Sequence, residues 1–366
     1  MVIMNSSTSN LNFRNEVRDT KAAILRKIGQ PLSLEKISLP KELLRGQVLV
    51  KLIYSGICGA QLNEISGAKG KDNYLPHLLG HEGFCEVIGI GPDVSSIGIG
   101  DKAVMHWRPN VGIQSEVPRY SIGNENINAG WVTTFNEHAI VSENRLTKLK
   151  DDANFSKEII PLLGCALTTA FGVVMRETNV QSHDNVVIFG AGGVGLSIIS
   201  LLVSMGVKNI CIVDINSKKI EIARKLGANL SFDSSKFDSA DELKKNILTE
   251  FNQKINFVYE TSGNSAAINM AYELGSSIST ILLIGVPFHD QKISINTLKL
   301  HFGMKFFGTE GGKSIPSEDI PKIISLMKEN KLNLQSFPLN LYPFNDINRA
   351  IDDLKNGIPG RFILEF

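Results

Sequence analysis

The chain has 366 residues, 43% of them hydrophobic and 20% charged, and a formal net charge of +1. Such a length favours more than one globular unit, and the near-neutral balance gives no electrostatic basis for binding nucleic acid or an anionic membrane. The four cysteines, Cys58, Cys85, Cys165 and Cys211, are scattered. That argues against a disulfide framework and fits free or metal-bound thiols in a reducing cytoplasm.

In chain order, residues 1–20 are polar and lack the basic start and long apolar core of a secretory signal, so a disordered extension is expected there. From Lys21 to Lys150, short runs such as KAAILRKI, QVLVKLIYSGI, FCEVIGIG and KAVMHW have the β-branched, broken look of strands in an antiparallel or barrel-like sheet. From Asp184 to about Gly308 apolar strands alternate with helical segments: NVVIFG, a helix to Met205, NICIVD, KKIEIARKLG, DELKKNILTEF, INFVYE, SAAINMAYEL, TILLIGV. That alternation predicts a parallel sheet with helices on both faces. The stretch Asn185–Val207 is uncharged and long enough to cross a bilayer. Its glycines and its β-rich opening predict a buried strand, turn and helix instead, with no membrane partner. Beyond Gly308 helix and strand are mixed. The expected α/β architecture is a nucleotide-binding domain, 166–308, inserted into a discontinuous β-rich domain, 21–165 and 309–366.

The strand NVVIFG runs into Gly190-Ala191-Gly192-Gly193-Val194-Gly195 and then a helix, the context a dinucleotide turn requires. Gly190 permits the turn, Gly192 lets the backbone approach a pyrophosphate, and Gly195 allows close helix–strand packing. The helix N-terminus offers unpaired N–H groups to phosphate. Asp214 ends the next strand, where a carboxylate accepts from ribose hydroxyls and repels a 2′-phosphate, so NAD is the expected cofactor. Lys218 and Lys219 follow as solvated helix-start lysines, one of which could reach the ribose.

Two thiols and an imidazole would make a three-ligand set that leaves zinc one open position for a substrate oxygen. Spacing alone does not single out which residues these are. The ordered motifs SGICG around Cys58, LGHEG around His81, LLGC ending at Cys165, the GAGGVG–IVD pair, GTEGGKS, IPKIISLMKEN and FNDINRAIDDLKNGIPGRFILEF together resemble the zinc-containing alcohol dehydrogenases of the medium-chain dehydrogenase/reductase type. The resemblance runs from Lys21 to Phe366. It implies a GroES-like catalytic domain wrapped around a Rossmann domain, with the active site in the cleft between them. It further implies that Cys58, His81 and Cys165 bind a catalytic zinc, with Glu82 behind or transiently exchanging as a ligand. By the same match Arg361 contacts the pyrophosphate, and Thr169, Val194 and Val286 flank the nicotinamide. Cys85 and Cys211 match no ligand position and are expected in strand cores. The activity implied is hydride transfer between an alcohol and NAD, reversible with the ketone or aldehyde, in a homo-oligomer, dimer or tetramer.

The sequence departs from the family pattern in two regions. The segment matching the family's structural-zinc lobe, residues 104–141, holds no cysteine, so no structural zinc is expected. Ala60 stands where a Ser or Thr usually relays the substrate proton, Gln61 where an Asp is usual, and Asn63 where a relay histidine is usual. Trp107 would line the pocket or sit in a core. With His106 and Arg108 as a polar rim, the pocket would suit a polyol or sugar-like substrate. Two rival readings remain: a zinc-free quinone or enoyl reductase on the same fold, and an NAD-binding protein without catalysis.

Overall fold

The computed structural model describes residues 17–150, 156–332, 334 and 336–366. Residues 1–16, and with them most of the expected extension, lie outside the described residues. The extension does not reach residue 20, because the first strand opens at Asp19 and Thr20 is buried, its Oγ1 accepting from the His138 N–H at 2.9 Å.

The first part of the chain is β-rich. Strands β1 (Asp19–Leu25), β2 (Ser33–Ser38), β3 (Gln47–Ile57), β4 (His77–Leu78), β5 (Gly83–Ile90), β6 (Lys102–Met105), β7 (Tyr120–Ile122), β8 (Glu125–Ile127), β9 (His138–Ser142) and β10 (Leu146–Lys148) follow in order. They form one sheet ordered β4-β1-β2-β7-β8 and a second whose centre is β3. Strand β3 is buried along most of its length because it is flanked on both sides, with Lys51 its one exposed residue. A single helix, α1 (Gly59–Ser66), leaves the end of β3 directly.

After Cys165 the chain enters helix α2 (Ala166–Gly172), which continues in a widened turn to Thr178. Then come β11 (Asn185–Phe189), α3 (Gly193–Ser204), β12 (Asn209–Asp214), α4 (Ser217–Leu226), β13 (Leu230–Asp233), α5 (Ala240–Glu250), β14 (Phe257–Glu260), α6 (Ser265–Leu274), β15 (Thr280–Leu283), α7 (Leu298–His301) and β16 (Lys305–Gly308). All six strands are parallel, in the order β13-β12-β11-β14-β15-β16. This doubly wound sheet reverses direction between β11 and β14, and the crevice beyond the carboxyl ends of those strands is where such sheets take ligands. The uncharged stretch Asn185–Val207 is the β11–turn–α3 unit, with Val186, Val187, Ile188, Ile198, Ile199 and Leu202 buried. Among the described residues no single helix is long and apolar enough to cross a membrane; the apolar helical pair Lys157–Gly164 and Ala166–Thr178 is bent by 51°.

The remaining elements, α8 (Pro316–Lys328), β17 (Leu339–Pro343), α9 (Ile347–Lys355) and β18 (Arg361–Glu365), return to the β-rich half. Strand β18 lies between β17 and β3, with Phe362 opposite Ile57 and Leu364 opposite Ser55. Strands from opposite ends of the sequence thus meet at the centre of one sheet, beside Cys58.

Candidate metal and dinucleotide site

Three separate pieces of backbone bring the thiols and the imidazole together. Cys58 follows β3 and is the N-cap of α1, His81 precedes β5, and Cys165 precedes α2 at the bend between two helical segments. One ligand atom from each lies within 4.8 Å of the others, and among the described residues this is the one such grouping of His, Cys, Asp or Glu. The two Sγ atoms are 4.0 Å apart. A tetrahedral ion with zinc–sulfur bonds of about 2.3 Å would set them roughly 3.8 Å apart, so the spacing fits. His81 Nε2 is buried and has no hydrogen-bond partner, a state that is costly for a polar atom unless a ligand completes it. The residues therefore fit a zinc ion. The contact between the two sulfurs pulls the Cys58 thiol well below its ordinary range, and His81 adds to this; the same pairing, together with burial, pushes Cys165 up.

Behind the cluster Glu82 is fully buried in an ion pair with Arg361, the first residue of β18. Burial pushes the Glu82 carboxyl up to about 7, although Arg361 draws it down. Burial opposes the Arg361 charge, but Glu82, Cys58 and Cys165 outweigh it and the guanidinium stays protonated. Two glycines of the sequence motifs are there to make room: a Cβ on Gly56 would lie 2.5 Å from Glu82 Oε1, and one on Gly164 would lie 2.2 Å from the Met105 carbonyl oxygen.

The same guanidinium reaches the dinucleotide turn, since a Cβ on Gly193 would be 2.6 Å from Arg361 Nη1. Arg361 therefore joins the metal cluster to the first turn of α3, where backbone N–H groups and the helix dipole favour a phosphate. Gly190 has φ +95, and a Cβ on Gly195 would be 1.9 Å from the Gly190 carbonyl oxygen, whereas nothing lies within 4 Å of one on Gly192. The turn is thus tight on the sheet side and open on the ligand side. Asp214 sits at the carboxyl end of β12, its Oδ2 accepting from the Ala191 N–H at 2.6 Å and its Oδ1 from the Asn216 N–H at 2.9 Å. Lys218 is exposed and Lys219 half-buried; their backbone N–H groups are taken by the Asn216 cap of α4.

Thr169 is buried on α2, Val194 is half-buried at the start of α3, and the Val286 side chain is 53% exposed. The segment of Val286 meets α1 and the turn after it: the Val286 carbonyl accepts from Asn63 Nδ2 at 3.3 Å, and the His289 N–H donates to the Ala68 carbonyl at 2.9 Å. Ala60 is half-buried on α1 beside Cys58. Cys85 and Cys211 are wholly buried in β5 and β12, where desolvation pushes both thiols up, which suits core residues.

The expected polar rim is not formed. His106 is wholly buried, with Nδ1 2.8 Å from the Arg108 carbonyl and Nε2 3.0 Å from Thr147 Oγ1. The Arg108 guanidinium is spent on the carbonyls of Ser314 and Glu310. Arg108 thus braces the loop at Gly311, and His106 is held within the β-rich half by Thr147 and the Arg108 carbonyl. Trp107 is half-buried, 5.5 Å under the Arg108 guanidinium and against Gly311.

Residues that the sequence analysis passed over lie at the end of β14. The buried Glu260 carboxylate accepts from the N–H groups of Ser262 at 2.8 Å and Gly263 at 3.0 Å, and Thr261 Oγ1 donates to the carbonyls of Phe189 and Gly190. They shape the wall beside the dinucleotide turn. Their signal was position: polar residues closing a central parallel strand, at the point where the sheet order reverses.

Two family models match the chain: the alcohol dehydrogenase GroES-like domain over residues 44–151 and the zinc-binding dehydrogenase over residues 193–329. An S-(hydroxymethyl)glutathione dehydrogenase of Candida maltosa is 27% identical over 92% of this chain and 94% of its own length. An alcohol dehydrogenase class-2 isozyme 2 of Oryctolagus cuniculus is 27% identical over 97% of this chain and all of its own. Among solved structures, benzyl alcohol dehydrogenase from Acinetobacter calcoaceticus superposes with a TM-score of 0.83 at 24% identity, covering 96% of this chain and 100% of that one. With both models present in order and relatives aligned over nearly their whole length, the chain belongs to the zinc-dependent alcohol dehydrogenases of the medium-chain dehydrogenase/reductase superfamily.

Proposed function

We propose that this protein is an NAD-linked alcohol dehydrogenase, acting reversibly on a small alcohol (polyols included) with one catalytic zinc and no structural zinc in each chain. The observation that carries the reading is the orphaned His81 Nε2 beside two thiols, joined through Glu82 and Arg361 to a dinucleotide turn. When bound, zinc supplies a Lewis-acid position for the substrate oxygen and NAD supplies the hydride acceptor.

The chain's own residues do the rest. Cys58, His81 and Cys165 hold the ion, and Glu82 stands behind them against Arg361. Arg361 and the first turn of α3 receive the pyrophosphate, Asp214 the ribose, with Lys219 at the helix start beside it. Thr169, Val194 and Val286 border the nicotinamide, and Trp107 lies toward the substrate. Ala60 carries no hydroxyl, so the proton released from the alcohol leaves through a substrate hydroxyl, a water or Glu82. A zinc-free reductase has no use for the three-ligand cluster, and a non-catalytic protein has no use for its link to the dinucleotide turn.

The segment that matches the structural-zinc lobe is tied at Ile113 to a buried carboxylate, Glu143, which also holds Ser95 and Ser96 outside it. Glu143 accepts from the N–H groups of Ser95, Ser96 and Ile113 and from Ser96 Oγ, each at 2.8 Å. The four unpaired cysteines fit a reducing compartment such as the cytoplasm. The protein works as a homo-oligomer, a dimer or tetramer.

Metal analysis of the purified protein should give about one zinc per chain, and Cys165→Ser should abolish both metal and alcohol-dependent NADH formation while NAD still binds. Two firmly held ions per chain, or full activity in Cys165→Ser, would overturn it.

A further inference from the structure

Gln61 occupies the third position of α1 and is wholly buried. Its Oε1 accepts from the Cys58 N–H at 3.0 Å, capping the helix, and its Nε2 lies 2.6 Å from His81 Nδ1. An amide has one accepting end and one donating end. With Oε1 committed to Cys58, the NH2 group donates to His81, and Nδ1 must offer a lone pair. A neutral imidazole in that arrangement keeps its proton on Nε2, the nitrogen left over to join Cys58 and Cys165. A metal needs the lone pair of Nε2, which moves the proton to Nδ1. Nδ1 then donates, and the amide must turn its oxygen to His81 and its NH2 to the Cys58 N–H, where two donors oppose each other. Neither orientation serves both neighbours. A carboxylate at this position would accept from both at once.

We infer that Gln61 sets how tightly the Cys58–His81–Cys165 site holds its ion, by holding the metal-free His81 in the Nε2–H form and making metal entry cost a proton shift together with the helix cap. Gln61 is a positioning residue and touches neither substrate nor cofactor. The inference rests on the proposed metal site, and its test separates the two. Metal-free wild type, Gln61→Glu and Gln61→Met are titrated with zinc against a chromophoric chelator, so that the dissociation constant, not turnover, is read.

Gln61→Glu should bind zinc about 10- to 100-fold more tightly, the range over which groups behind metal ligands act. Added negative charge alone would give part of that gain, and Gln61→Met controls for it. The thioether has no N–H to hold the wrong tautomer, so this variant should bind zinc at least as well as wild type. A merely supporting glutamine predicts the opposite, a ten-fold weakening. Nitrogen-15 spectra of histidine-labelled metal-free wild type should show His81 protonated at Nε2, which needs no variant to fold. His81 protonated at Nδ1, no gain in Gln61→Glu, or a ten-fold loss in Gln61→Met would each overturn the inference. Failure of wild type and both variants to bind zinc at all would overturn the metal site itself.

Discussion

At the scale of single residues, burial decides what a polar group does. His106 was expected at a pocket rim because a histidine beside a tryptophan looks the same in sequence whether it faces solvent or a core. Buried beneath Arg108 and Thr147, its pKa is depressed by desolvation to about 4. The unfolded chain holds this imidazole near its ordinary 6.5, so below that value the unfolded state binds the extra proton and folding stability falls as pH drops from 6.5 to 4. The full loss is about 3 kcal/mol. Urea unfolding of wild type between pH 7 and pH 4 should show this limb, and His106→Gln should flatten it. Asp214 makes the second prediction at this scale. With its carboxylate proposed to receive the ribose, Asp214→Ser should raise catalytic efficiency with NADP relative to NAD by ten-fold or so, about 1.4 kcal/mol of discrimination; an unchanged ratio would assign the choice to another residue.

Among the elements, those with local causes were legible in advance. The β11–turn–α3 unit, the parallel strands after it and the place of Asp214 all follow from short-range pattern, because glycine punctuation and apolar runs act within a few residues. The metal cluster was legible only through resemblance. Its three ligands come from the ends of β3, a turn before β5 and a helical bend, and no spacing rule joins them. The hold on the segment 95–113 was not legible at all. Hydrogen bonds from Ser95, Ser96 and Ile113 keep the Glu143 carboxyl below its ordinary 4.5 despite burial, and nothing near Glu143 in sequence announces those partners. Glu143→Ala should cost roughly 3 kcal/mol, since buried N–H groups lose a charged acceptor. Zinc content should stay at its wild-type level, and chemical denaturation with metal analysis checks both. The acid limb from this carboxylate begins at pH 4.5, where that of His106 is nearly complete.

For the whole molecule, the position of β18 governs the order in which the parts can be completed. Every strand of the parallel sheet falls between Asn185 and Gly308, so that layer can close once those residues exist. The sheet that carries Cys58 cannot, because its centre waits for Arg361–Glu365 to pair with β3. Domains mature as units during synthesis, the earlier ones usually first. Here the later-made layer is finished before the one begun at Asp19. A chain halted after residue 320 should yield a protease-resistant core from the parallel sheet while residues 19–150 are digested, and limited proteolysis of ribosome-bound chains measures this. Throughout translation Glu82 waits for its counter-charge and the thiols of Cys58 and Cys165 wait for the strand that shuts them in. An ion should therefore be held only after release, once the last strand has been made, and comparing the metal content of ribosome-bound and released chains checks this.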